Sequence, residues 1–146
     1  MRLVFAAALF LSFPALAQTV KPVYPPREVT VTRIVDGDTF GFKMPGIWPE
    51  IEDFTVRVKW IDTPESLKRN AECEDEINRG IKATLFTRTM IMYYNNKVFL
   101  TDIEHDKYGG RIDAVVTFAD GTNLGDTLIA NGHARFYDGG TKQGWC

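Results

Sequence analysis

The sequence predicts an α+β, mainly β fold: a five-stranded barrel with one long helix between the third and fourth strands and a short helix near the C-terminus. Short β-rich segments are separated by turn dipeptides such as Asp36-Gly37 and Asp120-Gly121. One long stretch, from about Glu74 to Tyr94, instead carries apolar residues at helical spacing. This order of three strands, a helix, two strands and a short helix is typical of the barrel called the OB-fold.

The first three strands precede the long helix. A β-rich run over 29–35 and an alternating run over 39–42 flank an Asp-Gly turn, which predicts a hairpin. Residues 44–53 are predicted to form a loop, because proline and glycine interrupt any pattern there. The third strand is predicted over 54–61, with alternating faces. The residues expected on its apolar face are Phe54, Val56, Val58 and Trp60.

Two further strands and a short helix follow the long helix. The fourth strand is predicted over 97–103 and the fifth over 111–118. Asn123 is placed to cap the short helix and Gly132 to end it. A last short strand is predicted over 134–137.

The N-terminus has the layout of a secretory signal peptide. Arg2 is followed by an apolar run over 3–13 and by the small-residue cleavage signal Ala15-Leu16-Ala17. The apolar run is shorter than the roughly 20 residues that span a bilayer. We therefore expect cleavage after Ala17, a secreted or periplasmic location, and no stable membrane association afterwards.

The chain divides into three predicted segments. A signal peptide at 1–17 is followed by an extended, proline-containing segment at 18–27 and by one domain at 28–146. The 129 residues left after cleavage suffice for a single core, and we expect a monomer.

Charge limits the classes of function. The formal net charge is −2, and loss of the arginine in the signal peptide would leave −3. A dedicated nucleic-acid-binding module usually has a basic surface, so this balance disfavours one. A metal-dependent enzyme escapes part of the objection, because its carboxylates bind a cation that faces the phosphate.

The chain has two cysteines, Cys73 and Cys146. Two lone cysteines lack the usual partners of a metal site. In an exported protein they are expected to form one disulfide bond, although spacing alone does not establish it.

Three clusters of polar residues are candidates for chemistry: Asp36 to Thr39, Arg57 with Asp62-Thr63-Pro64-Glu65, and Asp106 to Arg111. Each also has a plain structural explanation, as a hairpin turn, a helix cap and a hairpin loop respectively. The turn does not explain Asp38, a second carboxylate at the start of a strand, where Asp is disfavoured. A phosphodiester site needs this mixture of metal ligands, a base and cations.

In their order and position between the predicted strands, these motifs resemble the staphylococcal nuclease (thermonuclease) family over about residues 28–137. The resemblance implies that Asp38 and Asp62 are carboxylate ligands of one calcium ion, with Thr63 a ligand through its backbone carbonyl. Calcium accepts such hard oxygen donors with flexible geometry. Glu65 is similar to the residue that orients or deprotonates the attacking water, and the sequence leaves open which of the two it does.

The resemblance also assigns the cations. Arg57 and Arg111 are similar to the two arginines that clamp the phosphate as the transition state forms. Lys107 and Tyr108 are similar to residues that contact a neighbouring phosphate. The founding member has Arg directly after Tyr-Gly, whereas Gly110 intervenes here, so we expect a bulge that still lets Arg111 reach the phosphate.

The implied activity is that of a phosphodiesterase and endonuclease acting on DNA, RNA or both. The family breaks the 5′ P–O bond and leaves a 3′-phosphate end. One alternative is a non-catalytic OB-type binding module, although such relatives lose the acids and arginines that this sequence keeps. The other is a secreted structural domain whose carboxylates bind calcium for stability.

Overall fold

The computed structural model describes residues 24–44, 46 and 53–146. The predicted signal peptide, most of the segment after it and most of the loop predicted at 44–53 lie outside these residues. The elements in chain order are β1 Arg27–Ile34, β2 Thr39–Lys43, β3 Asp53–Val58, β4 Ile61–Asp62, α1 Glu74–Tyr93, β5 Lys97–His105, β6 Arg111–Thr117, α2 Leu124–Ala130 and β7 Arg135–Phe136.

Five strands close into a barrel in the order β1-β2-β3-β6-β5, with β5 returning to β1. The β3–β6 pair is parallel and the other pairs are antiparallel. This closed five-stranded barrel with α1 between its third and fourth strands confirms the predicted OB-fold. Its largest fully buried side chains are Phe40, Phe42, Phe118, Ile91, Leu100, Leu124 and Leu128.

The predicted third strand is broken. β3 ends at Val58, and the two-residue strand β4 follows after Trp60. Trp60 has φ 67°, in the left-handed region that a bulky residue rarely adopts. Its side chain is 49 % exposed and stacks on Phe136, with ring centroids 6.4 Å apart. The prediction that Trp60 faces the core was wrong, because this turn interrupts the two-residue alternation.

The buried face of α1 consists largely of small residues. Ala83 and Thr87 are fully buried, and the Thr87 hydroxyl donates a hydrogen bond of 2.6 Å to the carbonyl of Gly37. A Cβ at Gly37 would lie 2.8 Å from the Ala83 Cβ, so only glycine allows the helix this close to the β1–β2 turn. The apolar residues that predicted the helix include exposed ones, namely Ile81, Leu85 and Met92. Neither helix of the described residues combines the length and the hydropathy that a membrane-spanning helix needs.

The C-terminal region folds back beside the barrel. As predicted, Asn123 caps α2, accepting a hydrogen bond of 3.1 Å from the Asp126 amide, and Gly132 follows the helix with φ 72°. β7 pairs with β4, which sets Arg135 opposite Asp62. The expected disulfide is confirmed: Cys73 and Cys146 are bonded, with their Cα atoms 6.1 Å apart.

Candidate active site

The β1–β2 turn carries the first two carboxylates of the site. Asp38 lies just before β2 and is 5 % exposed. Its Oδ1 accepts a hydrogen bond from the Thr39 hydroxyl at 2.8 Å, and its Oδ2 accepts one from the Thr63 amide at 3.3 Å. Asp36 Oδ1 in turn accepts from the Asp38 amide at 3.2 Å. The turn therefore holds two carboxylates at one end of the barrel.

Arg57 joins the turn to β4. Its Nη2 lies 3.5 Å from Asp38 Oδ2 and 3.7 Å from Asp62 Oδ1. Burial alone would lower the pKa of Arg57, but the two carboxylates raise it above its ordinary value. Asp62 is only 3 % exposed, so this permanent cation offsets charge that would otherwise be costly to bury.

The start of α1 supports Glu65. The Glu65 amide donates to Glu76 Oε1 at 3.3 Å, while Glu65 Oε2 accepts from the Asn70 side chain at 3.3 Å. A Cβ at Gly80 would lie 2.5 Å from the backbone of Glu65, so this glycine lets the segment rest on the helix. The Glu65 carboxylate is partly exposed and faces the same pocket as Asp38.

The predicted site residues converge. A pocket of about 140 Å³ has the following lining: Asp36, Asp38, Thr39, Arg57, Thr63, Pro64, Glu65, Asn70, Arg111 and Lys142. Asp62 contacts this group through Arg57 and Lys142. Six of the eight residues to which the family resemblance assigns a role thus lie in or against one pocket.

Arg111 reaches the pocket despite the intervening glycine. Gly110 takes a left-handed φ of 76° in the β5–β6 loop, and Arg111 begins β6 directly afterwards. The Arg111 Nε donates a hydrogen bond of 2.6 Å to Asp106 Oδ2, which fixes the guanidinium. The irregularity in the hairpin register lies between Thr101 and Glu104, away from the glycine. The bulge expected at Gly110 is therefore not found there: the glycine serves as a turn residue, and the register irregularity lies in β5.

Lys107 and Tyr108 do not line the acidic pocket. Lys107 lines a second, larger cleft of about 380 Å³, which shares Arg57 and Arg111 with the acidic pocket. Tyr108 is 56 % exposed, and its ring lies 4.6 Å from the Arg111 guanidinium. Tyr137 also lines the larger cleft.

Sequence reasoning missed several residues of the site. Acidic residues at a helix start are ordinarily solvated, yet Glu76 is 5 % exposed and holds the Glu65 backbone. Asp113 lines the larger cleft, and burial together with Asp106 raises its pKa. Lys142 and Trp145 both contact Asp62, from 80 or more positions away in the chain. Only Asp36 carried a local signal, as the first acid of the Asp-Gly-Asp motif.

Asp36 makes the stability of the metal-free protein depend on pH. Burial, followed by the neighbouring charges of Asp38 and Glu65, raises the pKa of Asp36 from 3.8 to about 7. Between these values the native state keeps a proton that the unfolded chain has lost, so stability falls as pH rises through that window. We expect a loss of about 2–4 kcal/mol in the free energy of unfolding between about pH 4 and about pH 7.5.

The check is urea denaturation with a chelator across this pH range, comparing the wild type with Asp36→Asn. The amide keeps the oxygen that accepts from the Asp38 amide but does not titrate. The free energy of unfolding of the variant should therefore rise relative to that of the wild type as pH rises. A difference in this free energy that stays constant with pH would contradict the raised pKa of Asp36.

The family resemblance implies calcium, and the site offers oxygen donors of the kind that binds this ion. Asp38, Asp62 and the Thr63 carbonyl are hard oxygen donors. Beside them, burial and then the charges of Asp38 and Glu65 raise the pKa of Asp36, and a bound cation would offset this repulsion. Within the described residues, no three acidic, histidine or cysteine side chains are grouped closely enough to hold a metal ion as they stand. Cationic groups of Arg57 and Lys142 lie against the carboxylates instead. The donor chemistry fits calcium, and the present arrangement balances its charge internally.

Together, the closed barrel and its pocket define an OB-fold protein in which carboxylates and two arginines line one site. The family model described as staphylococcal nuclease homologue matches residues 55–144. The chain belongs to the staphylococcal nuclease family, whose general activity is nucleic-acid hydrolysis and whose members are generally calcium-dependent. No individual curated protein matches the chain at a significant level.

Proposed function

We propose that this protein is an exported, calcium-dependent nuclease that hydrolyses phosphodiester bonds of DNA, RNA or both. The observation that carries the proposal is the pocket in which Asp38, Thr63 and Glu65 lie beside Arg57 and Arg111. A phosphodiester is an anion that resists attack by water, and this set supplies both positive charge and a base.

Glu65 is the proposed general base or water-orienting residue. Asp38 and Asp62 each lie near Arg57, whereas Glu65 contacts the neutral amide of Asn70. Its carboxylate is thus available to accept a proton from water in the pocket. The hydrogen bond from its backbone amide to Glu76 restrains the direction from which it acts.

Arg57 and Arg111 are the proposed phosphate clamp. Both line the acidic pocket and the adjoining cleft, so a phosphate at the junction would be within reach of both guanidiniums. Asp38, Asp62 and the Thr63 carbonyl are the proposed calcium ligands. When bound, calcium would supply Lewis-acid stabilisation of the developing negative charge on a phosphoryl oxygen.

The larger cleft is the proposed path of the nucleic-acid strand. Its lining includes the two arginines, Lys107 and Tyr137, which combines a cation for a neighbouring phosphate with an aromatic ring. Cleavage of the 5′ P–O bond, leaving a 3′-phosphate, is the regiochemistry proposed from the family.

Export is proposed on two grounds. The first 17 residues have the layout of a signal peptide, and the Cys73–Cys146 disulfide is typical of proteins that mature in oxidising compartments.

The test is hydrolysis of single-stranded DNA, duplex DNA and RNA by residues 18–146, with calcium or with a chelator, followed by end-group analysis. We expect cleavage in calcium only, with 3′-phosphate ends. A folded protein that binds DNA without cleaving it would support the non-catalytic module. A melting temperature raised by calcium without hydrolysis would support the structural domain.

A further inference from the structure

The last residues of the chain lie against the acidic pocket. We call residues 141–146 the C-terminal strap; they form no helix or strand. The indole Nε1 of Trp145 donates a hydrogen bond of 2.9 Å to Asp62 Oδ2. On the other oxygen, Lys142 Nζ lies 2.5 Å from Asp62 Oδ1. The strap therefore contacts both oxygens of a proposed calcium ligand that is 97 % buried.

Arg135 holds the C-terminal strap in place. It is paired with Asp62 across β4 and β7, and its Nη2 donates to the carbonyls of Gln143 at 2.9 Å and Gly144 at 3.1 Å. Its guanidinium carbon lies 3.6 Å from the centre of the Trp145 ring, a close cation–π contact. The indole ring thus contacts Arg135 while its N–H donates to Asp62.

The disulfide bond anchors the end of the C-terminal strap. Cys146 follows Trp145 directly and is bonded to Cys73, the residue that precedes the first turn of α1. That same turn contains Glu76, which holds the backbone of Glu65. One covalent link therefore anchors both the strap on Asp62 and the helix start behind Glu65.

We propose that Trp145 is a positioning residue of the metal site: it orients the Asp62 carboxylate for calcium, and the disulfide keeps it in place. This inference rests on the proposed function. A hydrogen bond to the carboxylate oxygen that does not bind the metal fixes the orientation of the carboxylate. Loss of such a bond typically weakens metal affinity about 10- to 100-fold. The Lys142 side chain is 44 % exposed, so on this proposal its ammonium gives way to calcium at Asp62 Oδ1 and returns to solvent.

The test is calorimetric titration of calcium into the metal-free, disulfide-bonded protein without nucleic acid. Trp145→Phe keeps an aromatic ring beside Arg135 but is smaller than the indole and has no N–H to donate to Asp62, so we expect calcium to bind about 10- to 100-fold more weakly. Trp60→Phe is the matched control, because Trp60 stacks on Phe136 at the surface, and its calcium affinity should equal that of the wild type. Equal affinities of all three proteins would overturn the inference.

The outcomes separate the inference from the function on which it rests. A wild type that binds no calcium would overturn both, whereas equal binding by wild type and Trp145→Phe would leave the nuclease proposal intact. A spectroscopic arm does not depend on the folding of that variant. Terbium bound in place of calcium should show indole-sensitised luminescence in the wild type and in Trp60→Phe, and its absence from either would contradict a metal beside Trp145.

Discussion

Glu65→Gln should reduce calcium-dependent hydrolysis by about 100- to 10,000-fold, the usual contribution of a general base. The substitution keeps the size of the side chain and its oxygen toward Asn70 but removes the ability to accept a proton. It leaves the backbone hydrogen bond to Glu76 unchanged. The measurement is kcat and KM for single-stranded DNA at saturating calcium, and the loss should fall on kcat.

Glu74→Gln is the matched control, since Glu74 is an exposed acid in the first turn of α1. The control should hydrolyse DNA at the wild-type rate and melt at a similar temperature. If Glu65→Gln retained more than about a tenth of the wild-type kcat, a contribution of the expected size would be ruled out, and another group would have to activate the water.

Arg57→Lys should lower kcat by roughly 100- to 1,000-fold, the range seen when one donor to a developing oxyanion is removed. Lysine keeps the positive charge beside Asp38 and Asp62 but loses the planar fork that binds a phosphate through two parallel hydrogen bonds. Because a charge remains, we expect the protein to stay folded. Steady-state kinetics and a thermal melt, taken on the same sample, separate the two effects.

Arg88→Lys provides the comparison, because Arg88 is exposed on α1. Its kinetics should match those of the wild type. A small kinetic effect of Arg57→Lys accompanied by a large loss of stability would show instead that Arg57 is chiefly a structural partner of the two buried carboxylates.

Much of the fold could be predicted because its signals are local. The turn at Asp36-Gly37, the cap at Asn123 and the terminator at Gly132 each act within a few residues and were found where expected. Trp60 could not be predicted from alternation, since its left-handed φ reverses the pattern in the middle of a strand. A pattern of period two carries no information about where the chain departs from it.

The site could be predicted to the extent that its residues form ordered motifs. Asp38, Arg57 and Glu65 sit in short motifs whose order between strands indicated a family, and the barrel brings them into one pocket. Asp113 and Glu76 carry no such signal. An acid in a strand or at a helix start is ordinary in sequence, and only packing made these two partly or fully buried neighbours of the site.

The sequence by itself determined the barrel, the order of its elements and the acids and arginines that indicate phosphodiester chemistry, because these depend on local periodicity and on motifs. Only the tertiary structure decided what surrounds Asp62. Trp145 and Lys142 reach it from 80 or more residues away through β7, Arg135 and the disulfide. Such contacts are selected by burial and by charge compensation in three dimensions, which leave no periodic trace in the chain.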